Sequence, residues 1–101
     1  MPAYLIAFVD IHDRARFAKE YVPPIGATLE PFGGRVIAAS DEVRTLEGVV
    51  PPGRTVIIEF PDLDRARKWH ASDAYAPLIA LRKTLATTSI VVLPGGLTVR
   101  D

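Results

Sequence analysis

The sequence contains no cysteine and no excess charge of either sign. Its 101 residues include 12 Lys or Arg and 12 Asp or Glu, so the formal net charge at pH 7 is zero. Without cysteine, the chain can form no disulfide framework, thiolate metal site or cysteine nucleophile. Without a surplus of basic residues, we expect no large face for nucleic acid, and the balance of charges also argues against an acidic tail.

Long hydrophobic runs are missing as well. The longest apolar stretch has the length of one strand, and the chain does not begin with a basic segment followed by an apolar core. A membrane span and a signal peptide are therefore unsupported, and we expect a cytoplasmic protein with no membrane partner. At this length we predict a single domain over residues 1–96, with residues 97–101 forming a tail or a swapped arm.

Residues 54–82 contain the most strand-like segment and the clearest helix start. Thr55–Phe60 is rich in β-branched and aromatic residues, which predicts a strand. Pro61 ends this strand because proline has no N–H to offer a neighbouring strand. Asp62 is placed to cap the helix that follows. Pro77 fits the first turn of a further helix, where a missing N–H costs nothing.

The rest of the chain adds three strands and one helical segment. After an N-cap at Asp13 we predict two short helices, or one helix broken at Pro23-Pro24, ending at Gly33-Gly34. The predicted strands are Ala3–Ile11, Arg35–Ala39, which Val43–Glu47 could extend as an edge, and Thr88–Leu93. The order strand, helix, strand, strand, helix, strand is typical of the ferredoxin-like α+β fold, a four-stranded antiparallel sheet with helices on one face.

Both faces of the predicted sheet are apolar. In the first strand one face carries Tyr4, Ile6 and Phe8, and the other carries Leu5, Ala7 and Val9. A sheet with one face in water should alternate apolar and polar residues, and this one does not. The chain has too few helices to cover both faces. We therefore predict a homodimer formed through the sheet face, with a cavity between the two sheets.

Several motifs occur together and in order along the chain. They are Phe32-Gly33-Gly34-Arg35, Leu46-Glu47-Gly48, the segment Arg54 to Pro61, Ala66 with Trp69, Ser72 with Tyr75, and Leu81-Arg82. In this combination the sequence, from about Pro2 to Gly95, resembles the bacterial family catalogued as domain of unknown function 1330. The resemblance implies the dimeric α/β-barrel superfamily, whose members pair sheet to sheet around a central pocket. That superfamily includes cofactor-free monooxygenases, lactone isomerases and haem-dependent enzymes, but the family brings no assigned reaction.

Glu59 is the first candidate for chemistry because it stands in the middle of an apolar strand. A buried carboxylate is costly unless it is paired, and burial would make it a stronger base. The more common alternative is a salt bridge from Glu59 to Arg35, Arg54 or Arg82. These three arginines could also form an anion-binding fork, since guanidinium groups bind carboxylates bidentately, although such arginines more often pair with an acid such as Glu47.

Aromatic residues could line a pocket. A stripe of aromatic residues at helical spacing is more often core, which we expect of Trp69, whereas the hydroxyl groups of Tyr21 and Tyr75 need partners when buried. The candidate ligand-binding residues are therefore Tyr75, Arg82, Tyr21, Arg35, Arg54 and Trp69.

His70 is a candidate acid–base group, although the resemblance admits a tyrosine there as readily. The only other histidine is His12, and the two lack ligand spacing such as H-x-x-x-H, so we expect no metal site and no cofactor.

Three functions remain open. The first is a binding protein that holds a small organic acid or phenolic metabolite against Tyr75, Glu59 and Arg82. The second is a cofactor-independent enzyme of monooxygenase or isomerase type, with Glu59 or His70 as the base. The third is a structural or partner-binding dimer without a ligand. A tautomerase that uses Pro2 as its N-terminal base fits the strand order less well.

Overall fold

The computed structural model describes residues 1–49 and 51–100, and its central feature is a four-stranded antiparallel sheet. The strands are β1 (Ala3–Ile11), β2 (Arg35–Ser40), β3 (Arg54–Phe60) and β4 (Ala86–Pro94). The α-helices are α1 (Arg14–Arg16), α2 (Val22–Leu29), α3 (Leu63–His70) and α4 (Ala76–Leu85). The sheet order β2-β3-β1-β4 confirms the predicted ferredoxin-like arrangement.

The first helical segment runs from α1 to α2 without a break. Asp13 caps it by accepting a hydrogen bond from the Arg16 N–H. A π-helical turn, Phe17–Tyr21, then joins α1 to α2, and the Val22 N–H bonds back to the Phe17 carbonyl. This wide turn places Pro23-Pro24 in the first turn of α2, where missing N–H groups cost little. At the prolines, where we expected an interruption, the chain stays helical and changes from a π-helical to an α-helical turn.

The second helical pair follows the sequence closely. The Asp62 carboxylate accepts a hydrogen bond from the Arg65 N–H at 2.8 Å, so Asp62 is the N-cap of α3. The Ser72 hydroxyl accepts one from the Tyr75 N–H at 3.2 Å in the bend between α3 and α4. Pro77 lies in the first turn of α4, as predicted.

The loop between β2 and β3 departs from expectation. The predicted extension of the edge strand over Val43–Glu47 is wrong, because residues 41–49 form bends and contain no strand. The Ser40 hydroxyl accepts a hydrogen bond from the Glu42 N–H at 2.9 Å, which closes a turn directly after β2 and diverts the chain from the sheet.

The core lies between the helices and one face of the sheet. Along β1, buried residues alternate with half-buried ones, and Leu5, Ala7 and Val9 face the helices. Trp69, Tyr75 and Leu85, from the helical segments, are almost completely buried against this face. None of the described helices is long and apolar enough to cross a membrane.

No helix of the described residues covers the opposite face of the sheet. This face carries Tyr4, Ile6 and Phe8 of β1, each half-buried, together with Ile57 of β3 and Val91 of β4. After β4, residues 97–100 contain neither helix nor strand, and Asp101, the end of the predicted tail, lies outside the described residues.

Candidate functional site

A cavity of about 250 Å³ lies between the sheet and the helical layer. It is inside one chain, on the helix-covered side of the sheet, whereas the sequence led us to expect a cavity between two facing sheets. Most of its wall is aliphatic or aromatic. The lining residues are Leu5, Ala7, Val9, Phe17, Tyr21, Val22, Ile25, Gly26, Val36, Ala39, Arg54, Val56, Ile58, Trp69, Tyr75, Arg82, Thr88 and Ile90.

The π-helical turn sets the aromatic wall of the cavity. Phe17 and Tyr21, at its two ends, are both buried and stack with ring centroids 4.7 Å apart. An α-helix turns by about 100° per residue, so the extra residue of a π turn changes which side chains face the sheet. Phe17 and Tyr21, four residues apart, both line the cavity.

Trp69 holds Tyr75 in place from the other side. The indole N–H of Trp69 donates to the Thr28 hydroxyl at 3.0 Å, and that hydroxyl donates to the Ile25 carbonyl at 2.7 Å. The Trp69 ring stacks on the Tyr75 ring with centroids 4.0 Å apart. Trp69 is therefore a core residue with a satisfied N–H that also forms part of the cavity wall.

Three polar side chains meet at the cavity. The hydroxyl oxygens of Tyr21 and Tyr75 are 2.6 Å apart, and Nη1 of Arg82 donates to the Tyr75 hydroxyl oxygen at 2.7 Å. Burial, followed by the neighbouring Tyr21, raises the pKa of Tyr75 well above its usual value. Tyr75 therefore stays a neutral phenol at physiological pH, suited to hydrogen bonding and unsuited to act as a base.

Arg82 is buried without an acidic partner. Arg82 is only 6% exposed, and none of the ion pairs among the described residues includes it. Its Nε atom and the hydroxyl oxygen of Thr88, both buried, have no hydrogen-bond partner within the described chain. Buried polar groups are normally satisfied, and buried charges are normally paired. The cavity wall thus carries a positive charge that no acidic side chain of residues 1–49 and 51–100 neutralises.

Arg54 lines the same cavity but is already paired. Its Nε donates to Asp41 at 2.9 Å, and Arg14 contacts the other carboxylate oxygen at 3.4 Å. The Arg54 guanidinium holds the pKa of Asp41 below its usual range. The guanidinium carbon of Arg54 also lies 5.7 Å from the centre of the Phe17 ring. Arg54 therefore fixes the loop after β2 beside the cavity.

Glu59 and Arg35 lie on the other face of the sheet. They face each other across β3 and β2, and Arg35 donates to Glu59 through both Nε and Nη2, at 3.0 and 2.8 Å. This is the salt bridge anticipated as the alternative for Glu59. The structure therefore does not bring Glu59 together with Tyr75 and Arg82, as the first functional hypothesis required.

His70 is exposed at the end of α3 and is not among the residues that line the cavity. Its ring centre lies 6.2 Å from that of Tyr75, and the two rings are tilted relative to each other. No group of three or more His, Cys, Asp or Glu side chains within residues 1–49 and 51–100 could hold a metal ion.

Two features of the cavity were not predicted from the sequence. Thr88 was assigned to a strand but not to a site, although it is a polar residue on the same face as Ala86 and Ile90. The π-helical turn was also missed. The combination of Phe17 and Tyr21 with two prolines immediately afterwards is the local signal that could have indicated it.

Comparisons with known proteins agree with this architecture. The family described as "Domain of unknown function (DUF1330)" matches residues 2–96. RPA0582, a protein of unknown function from Rhodopseudomonas palustris, is similar with a TM-score of 0.74 at 17% identity, over 96% of this chain and 84% of that one. SnoaB, a cofactor-independent oxygenase from Streptomyces nogalater, gives 0.68 at 13% identity, over 99% and 98%.

A dimeric ferredoxin-like protein of unknown function from Thermobifida fusca is also similar. Its TM-score is 0.65 at 12% identity, over 93% of this chain and 91% of that one. No curated protein matches the sequence. At such identities the structural likeness shows the fold, whereas the family match covers nearly all of the chain. The protein belongs to the DUF1330 family and has the ferredoxin-like fold.

Proposed function

We propose that this protein binds a small organic acid or phenolic metabolite in the cavity between its sheet and its helices. The observation that carries the proposal is Arg82, a buried guanidinium in the wall of a mainly apolar cavity, with no acidic partner among the described residues. Sites for small molecules combine an apolar lining with a few polar groups that fix orientation, which describes this cavity.

The size of the cavity restricts the ligand. Pockets for drug-sized ligands have volumes of about 300–1,000 Å³, and this one measures about 250 Å³. A molecule built on a single ring, or a branched aliphatic chain of similar bulk, is therefore the expected size. The stacked rings of Trp69 and Tyr75 offer a flat wall for such a body.

Binding is favoured over an oxygenase- or isomerase-type enzyme by the absence of a base at the cavity. Neither a carboxylate nor an imidazole is among its described lining residues, and the raised pKa of Tyr75 keeps that phenol protonated. SnoaB shares the fold and is described as a cofactor-independent oxygenase. Glu59 and His70, which we considered as bases, both lie away from the cavity in the single chain.

A cavity-filling variant tests the proposal. Gly26 lines the cavity, and a Cβ atom added there would meet nothing within 4 Å. We expect Gly26→Leu to fold, because leucine favours helix over glycine, and to occupy the space that a ligand needs. Ala27→Leu is the matched control, because Ala27 is the next residue of α2 and is exposed like Gly26 but is not among the residues that line the cavity.

The measurement is the melting temperature with and without millimolar benzoate, cyclohexanecarboxylate, phenol or 4-hydroxybenzoate. A ligand that binds only the folded state raises the melting temperature. We expect such a rise in the wild type and in Ala27→Leu, and none in Gly26→Leu. If no compound stabilises the wild type, the small-molecule function is wrong and a dimer without a ligand becomes the better hypothesis.

We further propose that the open sheet face forms a homodimer. Within the part of the chain that the structure describes, no helix covers its apolar side chains, and similar structures are described as dimeric ferredoxin-like proteins. The cavity and the open face lie on opposite sides of the sheet, so dimerisation leaves the ligand site intact.

A further inference from the structure

The hydrogen-bond donors at the cavity outnumber the acceptors. Tyr75 uses its oxygen to accept from Arg82, and it shares one more hydrogen bond with Tyr21. If Tyr75 donates to Tyr21, the Tyr21 O–H is left over; if Tyr21 donates, the Tyr75 O–H is left over. In either arrangement one phenolic O–H has no acceptor among the hydrogen bonds of the described residues.

Two further donors are in the same position. Nε of Arg82 and the hydroxyl of Thr88 are buried and without a partner in the described chain, and both residues line the cavity. The Arg82 guanidinium uses Nη1 for Tyr75, which leaves its Nε edge unused. That edge of a guanidinium can bind the two oxygens of a carboxylate side by side.

An acceptor with negative charge would satisfy these donors together. A carboxylate has only acceptor sites, about four of them on two oxygens, and supplies the charge that Arg82 lacks. A neutral phenol can accept hydrogen bonds as well, but it adds a further donor and supplies no charge. A carboxamide of the same shape has one acceptor oxygen, but its NH₂ group adds two donors.

We propose that the ligand is a monocarboxylate with an apolar body of about one ring. Its carboxylate is held by Arg82, by Thr88 and by the free hydroxyl of the Tyr21–Tyr75 pair, and its body lies against the aliphatic and aromatic wall. This inference rests on the proposed small-molecule function and narrows it to one chemical class. It also assigns Thr88 a binding role.

Matched ligands test the chemical class. Benzoate, benzamide and phenol have similar bodies and differ in the polar group, and their dissociation constants can be measured by calorimetric titration. We expect benzoate to bind at least about tenfold more tightly than benzamide or phenol, because hydrogen bonds to a charged group are the stronger ones.

Variants test the residues. Arg82→Met should remove the preference for benzoate, and Arg82→Lys, which keeps the charge but loses the Nε edge, should reduce it. Thr88→Val should weaken benzoate binding several-fold with little effect on benzamide. Thr87→Val is the control, because Thr87 is the adjacent, exposed residue, whose hydroxyl lies 3.1 Å from His12.

The outcomes separate this inference from the proposed function. Binding of benzamide or phenol with no preference for benzoate would refute the carboxylate and leave a small-molecule site. A preference for benzoate that survives both Arg82 substitutions would also overturn the inference. If none of the three compounds binds, the proposed function itself fails. Should Arg82→Met not fold, Arg82→Lys and Thr88→Val still decide the matter.

Discussion

Arg82 is the residue at which stability and binding conflict. A buried charge without a partner costs free energy, and replacing such groups by apolar residues of similar shape is often stabilising. Arg82 is buried and lacks an acidic partner in the described chain, yet the aliphatic part of its side chain can be replaced by methionine without a large change in volume. Residues retained at such a cost are typical of binding sites.

We therefore predict that Arg82→Met stabilises the ligand-free protein. The gain should be about 1 kcal/mol, since the lost hydrogen bond to Tyr75 offsets part of the relief from the buried charge. This corresponds to a rise of about 4 °C in melting temperature, measured by circular dichroism without ligand. A fall of several degrees would show instead that Arg82 is retained mainly for the fold.

Several residues that line the cavity were named from the sequence, but the sequence did not show which of them lie together. Tyr21 and Tyr75 were named from the sequence because buried hydroxyl groups need partners, and Arg82 because guanidinium groups bind carboxylates bidentately. Glu59 was grouped with them incorrectly. The alternation of a strand puts Glu59 and Ile58 on opposite faces, but both faces of this sheet are apolar, so the sequence does not indicate which one meets the helices. Only tertiary packing resolves this choice.

At the scale of elements, the connection between β2 and β3 depends on one glycine. Gly53 directly precedes β3 with a φ of 87°, and a Cβ atom there would collide with the backbone carbonyl of Val9. Gly48, in the same connection, has a φ of 77° but open space around it. A substitution at Gly48 therefore tests backbone strain alone, whereas a substitution at Gly53 tests backbone strain together with a steric collision.

We predict that Gly53→Ala destabilises the protein much more than Gly48→Ala. A left-handed conformation costs alanine about 1 kcal/mol, which is the whole expected effect at Gly48. At Gly53, displacement of the packed backbone should add about 2 kcal/mol. Urea unfolding of both variants provides the comparison. Equal losses would mean that the connection moves freely enough to absorb the collision.

Strands and caps were predictable because their signals are local. The sequence of β1 gave its bounds as observed, and Asp13 and Asp62 cap the helices that they were expected to begin. The π-helical turn was not predicted, because Pro23-Pro24 reads as an interruption when only local rules are applied. Packing of Phe17 and Tyr21 against the sheet keeps the segment helical and widens its turn instead.

At the scale of the whole molecule, the two faces of the sheet have different roles. One face, with the helices, encloses the cavity. The other face exposes Val91 and Leu93 and leaves Ile6 and Ile57 half-buried in a single chain. An apolar sheet face of this kind is normally covered, either by helices or by another subunit. The ion pair of Arg35 with Glu59 lies on the same face and would become more buried on dimerisation.

We predict that Val91→Glu converts the dimer to a monomer. Val91 is half exposed in the single chain and lies on the edge strand β4, so a lone folded chain should tolerate glutamate there. In the proposed dimer the same carboxylate would be buried without a partner, which is strongly unfavourable. Leu46→Glu, at a fully exposed position in the loop after β2, makes the same chemical change away from the sheet and should leave the dimer intact.

Sedimentation equilibrium of the wild type and both variants measures the effect, with circular dichroism to verify folding. A dimer also makes the melting temperature depend on protein concentration, and this dependence should vanish in Val91→Glu. A wild type that sediments as a monomer, or a Val91→Glu variant that remains a dimer, would exclude the sheet face as the interface. Because the cavity lies on the opposite face, a folded Val91→Glu monomer should still bind benzoate, which would show that the site is complete within one chain.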